Sequence, residues 1–135
     1  MKIYVTKKLK ISGTSFKEVT KKARFIFDKV KARTKRKPYV RSKYFKKDKV
    51  FISLFWSHLF AKNEKDRLRR LRFFDCALDL IINSSFDPIT RENFQKKDEL
   101  LHRFYGSTAN KEKFVVQIKE NKRTKRKDLI SIYPE

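Results

Sequence analysis

The chain has 135 residues, 39% of them hydrophobic and 39% charged, with 37 Lys or Arg against 15 Asp or Glu and a formal net charge of +22. That length makes one domain, residues 1–135, with a single modest core. The charge excludes an electrostatically neutral role and calls for a polyanion, nucleic acid before a membrane surface, because neutralising phosphates releases condensed counterions. One cysteine, Cys76, and two histidines exclude an intrachain disulfide and a zinc set.

Residues 1–13 alternate weakly through Ile3, Val5, Leu9 and Ile11 and read as an arm or an extra strand. They lack the apolar stretch of a secretory signal, so a cytoplasmic protein is expected. A helix begins at Thr14: Thr14 or Ser15 caps it, Glu18 completes a capping box, and Phe16, Val19, Ala23, Ile26, Phe27 and Val30 recur at helical spacing. It ends before Pro38. The helical half runs over residues 14–83 and contains a basic segment, 31–49, with ten Lys or Arg and with Tyr39, Tyr44 and Phe45 interleaved. This segment reads as a solvated linker or as an RNA-contacting arm. In the arm, Arg36, Lys37, Arg41, Lys43, Lys46 and Lys47 meet phosphates while Tyr39 and Tyr44 stack on bases.

A second helix, roughly 49–62, is apolar nearly all round and belongs at the core. Its run from Val50 to Ala61 is shorter than the roughly 20 residues needed to cross a bilayer, so no membrane is expected as a partner. His58 within it reads as a satisfied core or boundary histidine in preference to a catalyst, and Trp56 as core. A third helix, 65–83, sets Leu68, Leu71, Cys76, Ala77, Leu78, Ile81 and Ile82 on one side. Arg67, Arg69, Arg70 and Arg72 crowd its first turns against the macrodipole, which Asn63 as cap with Glu64 and Asp66 partly offsets. That placement makes Arg70 a candidate nucleic-acid contact; the alternative is pairing with Asp75 and Asp79. Cys76 reads as a small core hydrophobe. Residues 84–98 read as a polar loop.

Three strands follow across residues 99–134, in LLHRFYG, KFVVQIKE and DLISIYP, joined by a turn near Gly106 and by the basic loop NKRTKRK. Lys122, Arg123, Lys125 and Arg126 in that loop are further candidate phosphate contacts. The expected fold is α+β, with two or three N-terminal helices packed on a small C-terminal antiparallel sheet. Period-two alternation puts Leu100, His102, Phe104, Phe114, Val116, Ile118, Ile130 and Ile132 on the core side, with Glu120 on the same parity. The other face then carries Arg103, Tyr105, Gln117, Lys119, Leu129, Ser131 and Tyr133. Two cations, two phenols, an amide and a hydroxyl suit a phosphodiester, so Arg103, Lys119, Tyr133, Tyr105, Ser131 and Gln117 are the catalytic candidates. His102 is kept as one that a one-residue bulge would turn outward.

No GxxxxGK[ST] or GxGxxG occurs, and Gly13 and Gly106 are the only glycines, so a nucleotide-phosphate cradle is excluded. Asp87, Glu92, Asp98 and Glu99 match no defensible metal-ligand spacing, and no metal or cofactor is expected. What remains is metal-free chemistry, in which RNA is cleaved by its own 2′-hydroxyl while the protein moves protons and stabilises the phosphorane.

Helices followed by a small sheet with HRFYG, FVVQIKE and DLISIYP strands resemble the barnase–EndoU–colicin–RelE superfamily of small metal-independent ribonucleases. More narrowly, the RKPYVRSKYFKKDKVF segment ahead of the apolar helix looks like uncharacterised bacterial and phage members. The resemblance covers residues 14–135. It implies a toxin-like endoribonuclease acting on mRNA, tRNA or ribosome-bound RNA and held by an acidic antitoxin. It also implies catalysis either through His102 or through Arg103, Lys119 and Tyr133. The alternatives are a non-catalytic nucleic-acid-binding module and an interaction domain for an acidic partner such as an antitoxin.

Overall fold

Ser15 begins the first long element of a computed structural model that describes residues 2–135. Its hydroxyl accepts from the Glu18 amide at 3.2 Å, and Glu18 accepts in turn from the Thr14 amide at 3.1 Å. The helix that follows, α1 (Phe16–Ala32), buries Val19, Ala23, Phe27 and Val30 along one stripe. Ahead of it, β1 (Tyr4–Val5) pairs with a later strand, so the N-terminal residues do contribute a short strand.

The basic segment is no free arm. It forms a hairpin of β2 (Tyr39–Ser42) and β3 (Asp48–Phe51), with Tyr39 opposite Phe51 and Ser42 opposite Asp48. Ser42 is buried and organises the turn: its carbonyl accepts from Lys47 and its hydroxyl from the Phe45 amide. Lys46 and Lys47 occupy left-handed backbone, φ 55° and 69°, where glycine or asparagine would be the ordinary choice.

Three further helices follow: α2 (Ser53–Leu59), α3 (Glu64–Leu71) and α4 (Phe74–Asn83). The helix expected over 49–62 is shorter because its first residues are taken by β3, where Val50 and Phe51 find parallel partners in Lys127 and Asp128. The helix expected over 65–83 is broken at Arg72–Phe73. There the Arg72 carbonyl accepts from the Ile11 amide, and its guanidinium donates to Ile11 and Gly13 carbonyls. Asn63 does cap α3, accepting from the Asp66 amide at 2.9 Å. Within the expected loop 84–98 lies a strand, β4 (Ile89–Glu92).

The last three strands are β5 (Glu99–Ser107), β6 (Lys113–Asn121) and β7 (Lys127–Pro134). The fold is α+β as expected, but the seven-stranded sheet is mixed and not antiparallel, in the order β1-β5-β6-β7-β3-β2 with β4 also on β5. β1 joins β5 and β3 joins β7 in parallel. Nor do the helices form an N-terminal block, since β2 and β3 intervene between α1 and the other three. Among the described residues no helix is long and apolar enough to cross a membrane.

Helices cover one face of the sheet. Phe74, Leu80 and Ile81 of α4 join Phe55 and Trp56 of α2 and the inner residues Phe104, Phe114, Val116, Ile118 and Ile132 in one core. The β6–β7 register slips between Gln117 and Ile118, so that Gln117 faces Ser131 while Ile118 faces Leu129. Ile130 is the extra residue of this bulge. The expected parity of Leu129 and Ile130 is therefore reversed: Leu129 is fully buried in the core and Ile130 is not.

Gly106 lets Leu80 of α4 and the Phe114 ring approach the β5 backbone closely. A Cβ there would lie 2.8 Å from Phe114 Cε1 and 2.9 Å from Leu80 Cδ1. Gly106→Ala is expected to lower stability by about 1–3 kcal/mol through overpacking, read as a fall in thermal or urea midpoint.

Candidate functional site

The face away from the helices is where the cross-strand register becomes chemistry. Arg103, Gln117 and Ser131 are direct neighbours across β5, β6 and β7, and Tyr105, Val115 and Tyr133 form the adjacent row. The two tyrosines flank Val115, which is 2% exposed although it lies on the outer face. Arg103, Tyr105, Gln117, Lys119, Ser131 and Tyr133 are all partly exposed, as their parity required. Among the described residues, neither the Arg103 nor the Lys119 side chain has a hydrogen-bond or ion-pair partner.

Two side chains reach this face round the edge of β7. Beyond its short pairing with β3, that edge meets α2 and α3 in place of another strand. From α3, Arg70 donates to Ser131 Oγ at 3.0 Å, lies within 3.5 Å of the Ile132 carbonyl and sits 5.6 Å from the Tyr133 ring. Asp66 aims it, accepting from Arg70 Nε at 3.2 Å and from Arg69 at 3.1 Å. Burial pushes the Asp66 carboxyl up, but the hydrogen bonds from Arg69 and Arg70 outweigh it and hold the group below the usual carboxylate range.

His58 is the second, and it is exposed, contrary to the expectation of a core or boundary histidine. α2 lies along the β7 edge, so its polar side faces the open end of the sheet. His58 Nδ1 lies 3.2 Å from the Ile130 carbonyl, which can only accept, so Nδ1 carries a hydrogen and the neutral form of the ring has its lone pair on Nε2. His58, Lys62, Arg70, Ile130 and Ser131 line one small notch. Nothing in the helical pattern of 49–62 separates this histidine from the core; the polar doublet Ser57–His58 is the only signal.

His102 turns inward, as the alternation indicated. Its Nδ1 lies 2.8 Å from Thr90 Oγ1 and its Nε2 2.8 Å from Glu120 Oε1, with the Phe45 ring 5.1 Å away. Glu120 continues to Lys127 at 3.7 Å, and Lys127 donates to Asp48 at 2.9 Å. A glutamate–histidine pair thus exists, but behind the sheet, with side-chain exposures of 7% and 13%.

The nucleic-acid candidates divide. Arg36, Lys37, Tyr39 and Arg126 line one groove at the sheet's β2 end. Lys43, Lys46 and Lys47 project from the hairpin turn, whereas Arg41 is used to close it, donating to the Lys47 carbonyl. Tyr44 packs edge-on to Phe45 and Phe104, and burial, with the charges of Asp87 and Glu120, raises its phenol pKa. It is partly buried and packs at the core margin. In the second basic loop Lys122 pairs with Glu92, Arg123 with Asp98 and Arg126 with Asp128, while Lys125 supplies a left-handed turn residue.

Cys76 is buried, its thiol pushed up to about 11 chiefly by burial, which removes it as a nucleophile. Among the described residues no three His, Cys, Asp or Glu side chains are grouped so as to hold a metal ion. No protein-family model, curated protein or solved structure matches the chain.

Two measurements check this geometry. Because the Asp66 pKa is depressed on folding, its contribution is complete above the unfolded value of about 3.9 and is lost as pH falls through the folded one. Below pH 4 the wild type should therefore lose stability more steeply than Asp66→Asn in urea titrations. His102→Leu leaves Glu120 and Thr90 without their partner and should lower stability by about 1–3 kcal/mol.

Proposed function

We propose that this protein binds RNA on the open face of its sheet and cleaves the backbone by metal-independent transesterification. The observation that carries the reading is the row Arg103–Gln117–Ser131 with Arg70 bonded to its end and His58 beside it. Two guanidinium groups and an imidazole with a free Nε2 are the equipment that the reaction needs. The net charge of +22 supports a polyanionic substrate.

In this mechanism His58 Nε2 accepts the proton of a ribose 2′-hydroxyl as that oxygen attacks the adjacent phosphorus, and releases it to solvent once the products have left. Arg70 and Arg103 stabilise the two non-bridging oxygens of the phosphorane, each able to offer a fork of donors. The P–O5′ bond breaks, and O5′ takes a proton from the Tyr133 phenol, which recovers one from solvent. The products are a 2′,3′-cyclic phosphate and a 5′-hydroxyl. Lys119 and Gln117 hold the flanking backbone. His102, with both ring nitrogens engaged behind the sheet, is assigned to structure. Membership of the barnase–EndoU–colicin–RelE-like group, and restraint by an acidic antitoxin, form part of the same proposal.

The test is incubation of purified protein with RNA in excess chelator, followed by analysis of the ends. Wild type should generate 2′,3′-cyclic phosphate termini. His58→Asn, which keeps a donor for the Ile130 carbonyl, should lower the cleavage rate by about 10²–10⁴-fold with RNA affinity nearly unchanged. Arg103→Ala should lower cleavage far more than binding. Equal losses in both would reduce the face to a binding surface, and intact RNA with wild type would remove the catalytic reading altogether.

A further inference from the structure

A groove of about 660 Å³ lies between the segment after α1 and the β2–β3 hairpin. Arg33, Lys35, Arg36, Lys37, Lys49 and Arg126 line it, and no carboxylate does. Among the described residues, the first five of these have no acidic partner within ion-pair distance, unlike the paired cations of the second basic loop. A cluster of like charges this dense repels itself, and an anion relieves the repulsion. Its floor is aromatic: Tyr39 and Phe51 are cross-strand partners with ring centroids 6.0 Å apart.

The groove does not end blindly. Tyr39 and Phe51 belong to the same pleat row as Asp128 and Lys119 on the outer face. A second cleft, of about 410 Å³, shares Lys37, Phe51 and Arg126 with the groove and extends it to Lys119 and Asn121; two carboxylates also line it, Asp128, which pairs with Arg126, and Glu99. A chain lying in the groove is thereby delivered to the row next to Arg103, Gln117 and Ser131.

We propose that this groove is a channel for single-stranded nucleic acid that feeds the cleavage face, so that the substrate class is unpaired RNA; this rests on the RNA-cleaving reading of the sheet. Stacking decides the class. The Tyr39 and Phe51 rings can be covered only by bases whose faces are free, and a duplex keeps its faces stacked internally. In the free protein Lys49 rests 4.7 Å from the Tyr39 ring and Arg126 4.4 Å from that of Phe51. An incoming base displaces the cation from the ring, and that cation then meets the neighbouring phosphate. Positive charge and aromatic surface thus serve one ligand in alternation along its backbone.

The probe is a fluorescent single-stranded 2′-O-methyl RNA, which has no free 2′-hydroxyl and cannot be cleaved, compared with the same sequence as a blunt duplex. Anisotropy should show the single strand bound about tenfold or more tightly than the duplex. Tyr39→Ser should erase most of that preference and leave duplex affinity within about twofold. The exposed pair Arg36→Glu and Lys37→Glu, which touches no packing, should weaken both probes and flatten the dependence on salt. Equal affinity for the two probes, or unchanged single-strand binding in the Arg36→Glu/Lys37→Glu variant, overturns the channel. Cleavage of unmodified RNA is scored separately. Absent cleavage with the strand preference intact removes the enzymatic reading and keeps the channel, whereas cleavage by His58 and Arg103 without any strand preference does the opposite.

Discussion

One extra residue in β7 governs what the outer face presents. Strict alternation through DLISIYP cannot bury both Leu129 and Ile132, because they are three residues apart and point to opposite sides. The bulge at Ile130 removes the conflict: Leu129 packs opposite Ile118 and Ile132 opposite Val116, both on the core side. Ser131 and Tyr133 stay outside in register with Gln117 and Val115. The same bulge takes Ile130 out of the ladder with β6, and its carbonyl is the one that His58 meets. Core packing and the placement of the histidine are thus consequences of a single irregularity.

Charge is distributed to the same end. Exposed ion pairs contribute only about 0–1 kcal/mol each, so the pairs Lys122–Glu92, Arg123–Asp98 and Lys22–Glu18 matter less for stability than for the field they leave behind. They quieten the second basic loop and the outer side of α1. Arg103, Lys119 and the cations of segment 33–37 are left uncompensated. Asp66 differs from these, since its ion pair with Arg70 also holds that guanidinium where it donates to Ser131.

Much of this was legible in the chain, and the failures have physical reasons. The last three strands, the Ser15 and Asn63 caps and the outward set apart from Leu129 follow from period and capping chemistry, which are local. The β2–β3 hairpin escaped because its turn uses Lys46 and Lys47 in left-handed backbone where a glycine or asparagine would have announced it. Val50 and Phe51 read as helix because an apolar run has no period of its own; a parallel partner far along the chain, Lys127–Asp128, made them a strand. The break at Arg72–Phe73 likewise depends on Ile11, a contact no local pattern encodes. His58 was hidden for a different reason: a short helix laid along a sheet edge shows water a side that its composition does not declare.

The inner polar chain ties the strand beneath the groove to the strands that carry Arg103, Gln117 and Ser131. Thr90, His102, Glu120, Lys127 and Asp48 link β4, β5, β6, β7 and β3 in succession on the core side. Apart from Asp48, which is exposed, desolvating these groups costs free energy that an apolar set would not, so their net gain in stability is small. What they add is register. A one-residue slip of β7 would turn Lys127 to the outer face and strand Glu120 without its cation, while Leu129 would leave the core. The pairing that blocks this slip also joins Asp48, at the start of β3, to the centre of the sheet. Because Phe51 follows on that same short strand, the aromatic floor of the groove is held in line with Lys119 by side chains on the opposite face.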